Sequence, residues 1–168
     1  MSWYDSVDVA DERVKAYAAA LVDGEGSIQI QRTQRGKYAN YLPSVTVAMT
    51  KPDAVALLGK YWGSPARRYT PISSNAATKG WDSQYVWRLN GSKVHEFLKD
   101  IRPYLTVKKE QCDLVLEYLS VQPVGRPRVS EEERQRRTGL YLKMRELNHK
   151  SSNRSKAELT KQAFEVAT

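Results

Sequence analysis

Alternating apolar and polar positions mark four strands in this chain, and stretches of helical spacing separate them. Ile28 and Ile30 alternate with Gln29, Gln31 and Thr33, while Val45, Val47 and Met49 alternate with Ser44, Thr46 and Ala48. This period of two belongs to strands with one buried face. Gln34-Arg35-Gly36-Lys37 supplies the turn, so the two strands form a hairpin with a polar outer face. A third strand is predicted over 66–72 and a fourth over 83–89, with Tyr85, Trp87 and Leu89 inward and Gln84, Val86 and Arg88 outward.

Helical spacing fills the intervals. Asp8 or Asp11 caps a helix running to about Val22, with Val14, Tyr17, Ala18, Leu21 and Val22 on its apolar side. Pro52 lies in the first turn of a second helix, where its missing amide proton does little harm; Val55, Leu57, Leu58 and Tyr61 are its core candidates. Val94, Phe97, Leu98 and Ile101 define a third helix that Pro103 ends, and Thr106 caps a fourth with Val107, Leu114, Val115, Tyr118 and Leu119 inward. Ser130-Glu131-Glu132-Glu133 opens a helix to about Leu147 as a capping box, and a short helix follows around 157–166. The fold class is therefore α+β, in the order αββαββαα plus C-terminal helices. Residues 1–9 are a lead-in, 10–121 the core domain, and 122–168 a helical extension packed on that core.

Composition narrows the function classes. With 168 residues, 40% hydrophobic and 27% charged, the chain is one ordinary globular domain without the ~20 consecutive apolar residues of a membrane span. Its single cysteine, Cys112, excludes an internal disulfide framework and a Cys-based zinc site, which fits a reducing compartment, cytoplasm or organelle matrix. The acidic N-terminus is unlike a secretory or transit peptide. The net charge of +8 is unevenly spread, because residues 26–50 and 54–81 contain no Asp or Glu. Acid-free strands against acid-bearing helices imply one positive face suited to a phosphate backbone.

On that face Gln29, Gln31, Thr33, Ser44, Thr46, Arg68, Thr70, Gln84 and Arg88 are candidate base or backbone contacts. Gln pairs bidentately with adenine and Arg with guanine in the major groove. Arg32, Arg35, Lys37 and Arg67 add positive charge, and the polar 148–155 stretch contributes Lys150, Ser151 and Arg154, with His149 as a phosphate contact. For each of these the alternative is an ordinary solvated side chain.

Ala18 to Gly26, AAALVDGEG, joins the first helix to the first strand. A carboxylate at a helix C-terminus faces the negative end of the dipole unless a cation compensates. One of Asp23 and Glu25 is placed to bind a hard divalent ion beside the Gly24 carbonyl while the other caps locally; a plain C-cap followed by a hairpin is the competing reading. Lys108 and Lys109 fall in the first turn of a helix, where the dipole disfavours cations unless they face an anion.

AAALVDGEGSI resembles the LAGLIDADG motif of homing endonucleases, and the αββαββα order after it is that family's fold with its four-stranded antiparallel saddle-shaped sheet. The segment PYLTVKKEQCDLVLEYL resembles the family's helix after the second hairpin, so the resemblance extends from about Val14 to Leu119. It implies a site-specific DNA endonuclease that uses Mg²⁺ to hydrolyse both strands and leaves short 3′ overhangs. Carried over, Glu25 binds the metal beside Gly24, Asp23 caps the helix end, and Lys108 and Lys51 are the catalytic-pocket side chains. Ala18 stands where the motif has leucine, and Ala20 where it has glycine.

The chain carries one motif, and cutting both strands takes two metal-binding carboxylates. The resemblance therefore implies a homodimer through Ala18, Ala19, Leu21 and Val22 of the motif helix, reading a pseudo-palindromic intron-homing site on double-stranded DNA. Two alternatives use the same fold: a maturase that binds intron RNA, and a DNA-binding protein that does not cleave.

Overall fold

The computed structural model describes residues 10–35, 38–69, 83–121 and 129–149. Helix α1 (Glu12–Glu25) leads into β1 (Gly26–Arg35) and β2 (Tyr38–Met49), and α2 (Pro52–Trp62) into β3 (Arg67–Tyr69) and β4 (Gln84–Asn90). Next come α3 (Lys93–Ile101), a 3₁₀ turn (Arg102–Tyr104), α4 (Lys109–Ser120) and α5 (Glu131–His149). The strands form one antiparallel sheet in the order β1-β2-β4-β3. The expected lead-in over 1–9 and terminal helix over 157–166, and the start of the C-terminal extension over 122–128, lie outside the described residues.

One face of the sheet is the core. Ile28, Ile30, Val45, Val47, Trp87 and Leu89 are buried against Ala18, Ala19 and Val22 of α1, Val55 and Leu58 of α2, and Val94, Phe97, Leu98 and Ile101 of α3. Each such aliphatic side chain contributes about 1.5–3 kcal/mol by leaving water. The aromatic members also meet edge on: Trp87 and Trp62 each lie 5.0 Å from Phe97. Their indole N–H groups are satisfied at 2.8 Å by the Gly63 carbonyl and the Asp100 carboxylate, respectively. Gly63, at φ +73, turns the chain out of α2 so that its carbonyl reaches Trp87.

Three local expectations are corrected. Helix α1 runs through Asp23 and Gly24 to Glu25 rather than stopping near Val22, so the acidic residues belong to its last turn. Its N-cap is Asp11, whose side chain accepts from the Val14 amide at 2.9 Å. Thr106 does not cap α4, because the preceding turn is satisfied from another element, and Val107 there is 71% exposed instead of inward. The Ser130 capping box is half formed. Ser130 Oγ accepts from the Glu133 amide, while the Glu133 carboxylate turns to Arg136 and Arg137 at 2.7 Å each.

That carboxylate fastens α5 to the core. Arg136 donates onward to the Glu117 and Tyr118 carbonyls at the end of α4, the Tyr118 hydroxyl donates to the Tyr41 carbonyl, and the Tyr41 and Thr138 hydroxyls pair at 2.9 Å. The Arg136 hydrogen bond, against the opposing effect of burial and together with Arg137, holds Glu133 down to about 2. A carboxylate depressed in the folded state stabilises above its unfolded pKa and loses that contribution as pH falls through the folded one. Urea unfolding across a pH series is therefore expected to find Glu133→Gln less stable at neutral pH. Its further loss between about pH 4.5 and pH 2 is expected to be shallower than that of the parent protein.

Candidate active site and nucleic-acid interface

The junction between α1 and β1 brings together most of the candidate chemistry. Gly26 starts β1 directly under the last turn of α1, its amide bonded to the Val22 carbonyl. Glu25 and Gly24 are exposed there, and Glu25 makes no hydrogen bond or ion pair with a described residue. β2 ends alongside the start of β1, with Val47 paired to Gly26, so the exposed Lys51 that follows lies at the same end of the sheet.

Asp23 does not cap its own helix, contrary to expectation. Its carboxylate accepts the backbone amides of Thr106, Val107 and Lys108 at 2.7, 3.2 and 2.9 Å and so caps the start of α4. In return the Lys108 ammonium donates to the Val22 and Asp23 carbonyls at 2.9 and 2.5 Å, at the negative end of α1, where the Val22 carbonyl also accepts the Gly26 amide. Burial pushes the Asp23 carboxyl up, but the three amides and the nearby Lys108 charge outweigh it and hold the group below its ordinary range. The placement of Lys108 is thus explained by a helix terminus, with main-chain oxygens in place of the expected anion. What remains at the tip of α1 is a set of hard oxygen donors, the Glu25 carboxylate and the last carbonyls, suited to a divalent cation.

The open face of the sheet carries the polar stripe expected of it, with changes of membership. Gln29, Gln31, Thr33, Thr46, Gln84 and Arg88 share that face by register, and Arg88 Nε donates to the Thr46 hydroxyl at 3.1 Å. Ser44 belongs to the same face but is only 1% exposed, its short side chain sitting between the longer Gln29 and Asn90 on the flanking strands. Arg68 pairs with Tyr85 and Arg32 with Tyr41, so both lie on the helix-side face as exposed cations. Arg67, paired with Val86, takes the open-face position instead. Arg35 ends β1; Lys37, Thr70, Lys150, Ser151 and Arg154 lie outside the described residues.

Beside this face runs an open groove of about 1050 Å³ between β1, the start of α4 and the C-terminal half of α5. Ser27, Gln29, Gln31, Lys108, Arg145 and His149 are among its walls, and the Asn148 amide donates to the Ile28 carbonyl at 3.1 Å. Arg145 and Gln111 were not anticipated. Arg145 stands four residues before His149 on α5, a spacing that would have paired them once the helix was extended that far.

The motif-helix residues expected to meet a second copy require the largest correction. Ala18, Ala19 and Val22 are completely buried in the chain's own core, and Leu21 is half-buried. The free stripe of α1 is Arg13, Tyr17, Ala20 and Gly24, at spacings of four, three and four. Tyr17 is 45% exposed, and a Cβ built on Gly24 would meet nothing within 4 Å. Among the described residues no helix is long and apolar enough to cross a membrane, and no three His, Cys, Asp or Glu side chains form a metal cluster.

No protein-family model and no curated protein matches the sequence. Solved structures match the fold. The homing endonuclease I-CvuI in complex with its target aligns over 92% of each chain at 18% identity and a TM-score of 0.65. The archaeal intron-encoded homing endonuclease I-Vdi141I, complexed with DNA, aligns over 94% of this chain and 99% of its own at 13% identity and the same TM-score. The LAGLIDADG homing endonuclease I-GzeII, in complex with its DNA target, aligns over 82% of this chain but 44% of its own, at 14% identity and a TM-score of 0.56. The chain has the LAGLIDADG homing-endonuclease fold.

Proposed function

We propose, from this fold and the groups it brings together, that the protein is a homodimeric, Mg²⁺-dependent, site-specific DNA endonuclease of the intron-homing kind. The observation that carries the reading is Glu25: an exposed carboxylate at the C-terminal tip of the motif helix, without a partner among the described residues, beside a sheet face lined with Gln, Thr and Arg. A carboxylate at the negative end of a helix favours a compensating cation, and a Mg²⁺ site usually completes its shell with water and phosphate oxygens. The donors present fit such an ion, with Glu25 and the Gly24 carbonyl as the protein's share. When bound, the cation supplies Lewis-acid polarisation of the scissile phosphodiester and acidifies the attacking water.

The chain's own residues bind and orient. Gln29, Gln31, Thr33, Arg67, Gln84 and Arg88 lie against base edges and backbone, and the Thr46 hydroxyl takes the Arg88 Nε–H, leaving the two terminal nitrogens as the donors for a guanine. Arg145 and His149 border the groove beside β1, where a phosphate strand would pass. Lys51 adds positive charge at the Glu25 end of the sheet.

One protomer offers one such carboxylate tip, and cutting both strands takes two. The second comes from a copy packed through the free stripe of α1, where Ala20 and Gly24 permit close approach and Tyr17 supplies apolar area. I-GzeII, of whose length this chain spans less than half, is compatible with two such units making one enzyme. Selecting cleaved molecules from a randomised duplex library in Mg²⁺ tests the whole reading. The expected result is enrichment of a pseudo-palindromic site cut to short 3′ overhangs. Enrichment of asymmetric sites would rule out the symmetric dimer, and failure to cleave any duplex would rule out the enzyme.

A further inference from the structure

We propose that Lys108 is a positioning residue: with Asp23 it forms a reciprocal cap between α1 and α4 that fixes where Glu25 stands. The proposal rests on the endonuclease reading for the meaning of Glu25, but its core lies in the folded protomer. Lys108 and Asp23 are joined twice. The Asp23 carboxylate accepts the Lys108 amide at 2.9 Å, and the Lys108 ammonium donates to the Asp23 carbonyl. The Thr106 and Val107 amides add two more charge-assisted bonds to the same carboxylate, and Val22 a second carbonyl to the same ammonium.

The consequence falls on Glu25. That side chain has no partner of its own among the described residues, so its place is set by the main chain on either side. On one side β1 anchors it through Gly26. On the other, the carbonyls that Lys108 grips belong to Val22 and Asp23, the residues immediately before Gly24. An ammonium has three N–H donors, and two are committed here. Swinging it toward a phosphate would uncap α1 at the turn that presents the metal-binding carboxylate. Lys108 therefore acts through the backbone of α1, and its charge also offsets the negative helix end on which Glu25 sits.

The test uses the full chain and three variants, Lys108→Met, Asp23→Asn and the two combined. Partners that hold a metal-binding group in place typically cost 10–100-fold in metal affinity when removed. Each single variant is expected to raise the half-saturating Mg²⁺ for cleavage by about tenfold or more. Saturating Mg²⁺ is expected to restore most of the maximal rate, and the double variant should be little worse than the poorer single one. Urea unfolding gives a readout independent of cleavage: the two substitutions should be strongly non-additive in stability.

A Lys108→Met protein with an unchanged Mg²⁺ requirement and a collapsed maximal rate, beside an Asp23→Asn protein that behaves like the parent, would overturn the proposal. Lys108 would then act at the phosphate itself. If Lys108→Met does not fold, Lys108→Arg keeps the charge and the donors; a folded Lys108→Arg protein that has lost its maximal rate at the parental Mg²⁺ requirement overturns the proposal equally. If the parent protein does not cleave DNA, the endonuclease reading fails, and the unfolding cycle still decides whether the cap exists.

Discussion

Glu25→Gln is expected to reduce DNA cleavage by at least about three orders of magnitude while leaving DNA affinity within severalfold. Three orders correspond to about 4 kcal/mol of transition-state stabilisation, an ordinary loss when a key electrostatic group is removed from an active site. The substitution keeps the size and shape of the side chain and changes only its charge and donor strength. An amide oxygen is a weak substitute for a carboxylate at a hard divalent cation. Folding should be unaffected, because Glu25 is exposed and bonds to no described residue. Replacing it also removes a negative charge near the DNA, so affinity should hold or rise slightly. Single-turnover cleavage in Mg²⁺ with parallel binding assays in Ca²⁺ separates the two effects. Cleavage at the parental rate by the Glu25→Gln protein would remove Glu25 from the mechanism.

The way this site was legible in the sequence follows the range of the interactions that make it. The hairpin of β1 and β2 could be read directly, because alternation of Ile28 and Ile30 with Gln29 and Gln31 is local and period two has one meaning in a half-buried strand. The position of Lys108 was readable as an anomaly, but its cause was not. The carbonyls that hold it are 85 and 86 residues away, and no local pattern specifies such a pairing. The same distance hid the role of Asp23. A side chain at a helix end is by default read as serving that helix, and here it serves another.

Faces were lost where the pattern is degenerate. In AAALV every residue is apolar, so periodicity alone does not say which side enters the core; the register of α1 on the sheet buries Ala18, Ala19 and Val22 and leaves Ala20 out. β3 ends at Tyr69 and β4 begins at Gln84, a separation in sequence over which no local pattern fixes the register, and Arg67 and Arg68 exchange faces. A shift of one residue does this to every side chain of a strand. The alternation places Ser44 on the correct face, but its exposure depends on the lengths of its cross-strand neighbours, which the period does not carry.

The two glycines of the motif are expected to behave in opposite ways, although only Glu25 separates them. Gly26 has an ordinary extended conformation, φ −89 and ψ 167, so any residue could adopt its backbone angles. Its requirement is space: a Cβ there would stand 2.6 Å from the Val22 Cα and 2.7 Å from the Val22 carbonyl oxygen. Both are main-chain atoms of the helix, which cannot rotate away as a side chain would. Gly26→Ala must therefore open the α1–β1 junction, at a cost of about 3 kcal/mol or more. For a protein of this size that lowers the melting temperature by roughly 6–12 °C, and it also displaces Glu25. At Gly24 a Cβ meets nothing within 4 Å, and alanine favours the helix by up to about 1 kcal/mol. The Gly24→Ala protomer is expected to be at least as stable as the parent, while the added methyl falls on the stripe proposed to face a second copy. Calorimetry combined with sedimentation across a concentration series measures both effects: a lower melting temperature for Gly26→Ala, and weaker self-association at an undiminished melting temperature for Gly24→Ala. Equal destabilisation by the two substitutions would contradict the junction geometry, and unchanged self-association of Gly24→Ala would move the dimer contact away from this stripe.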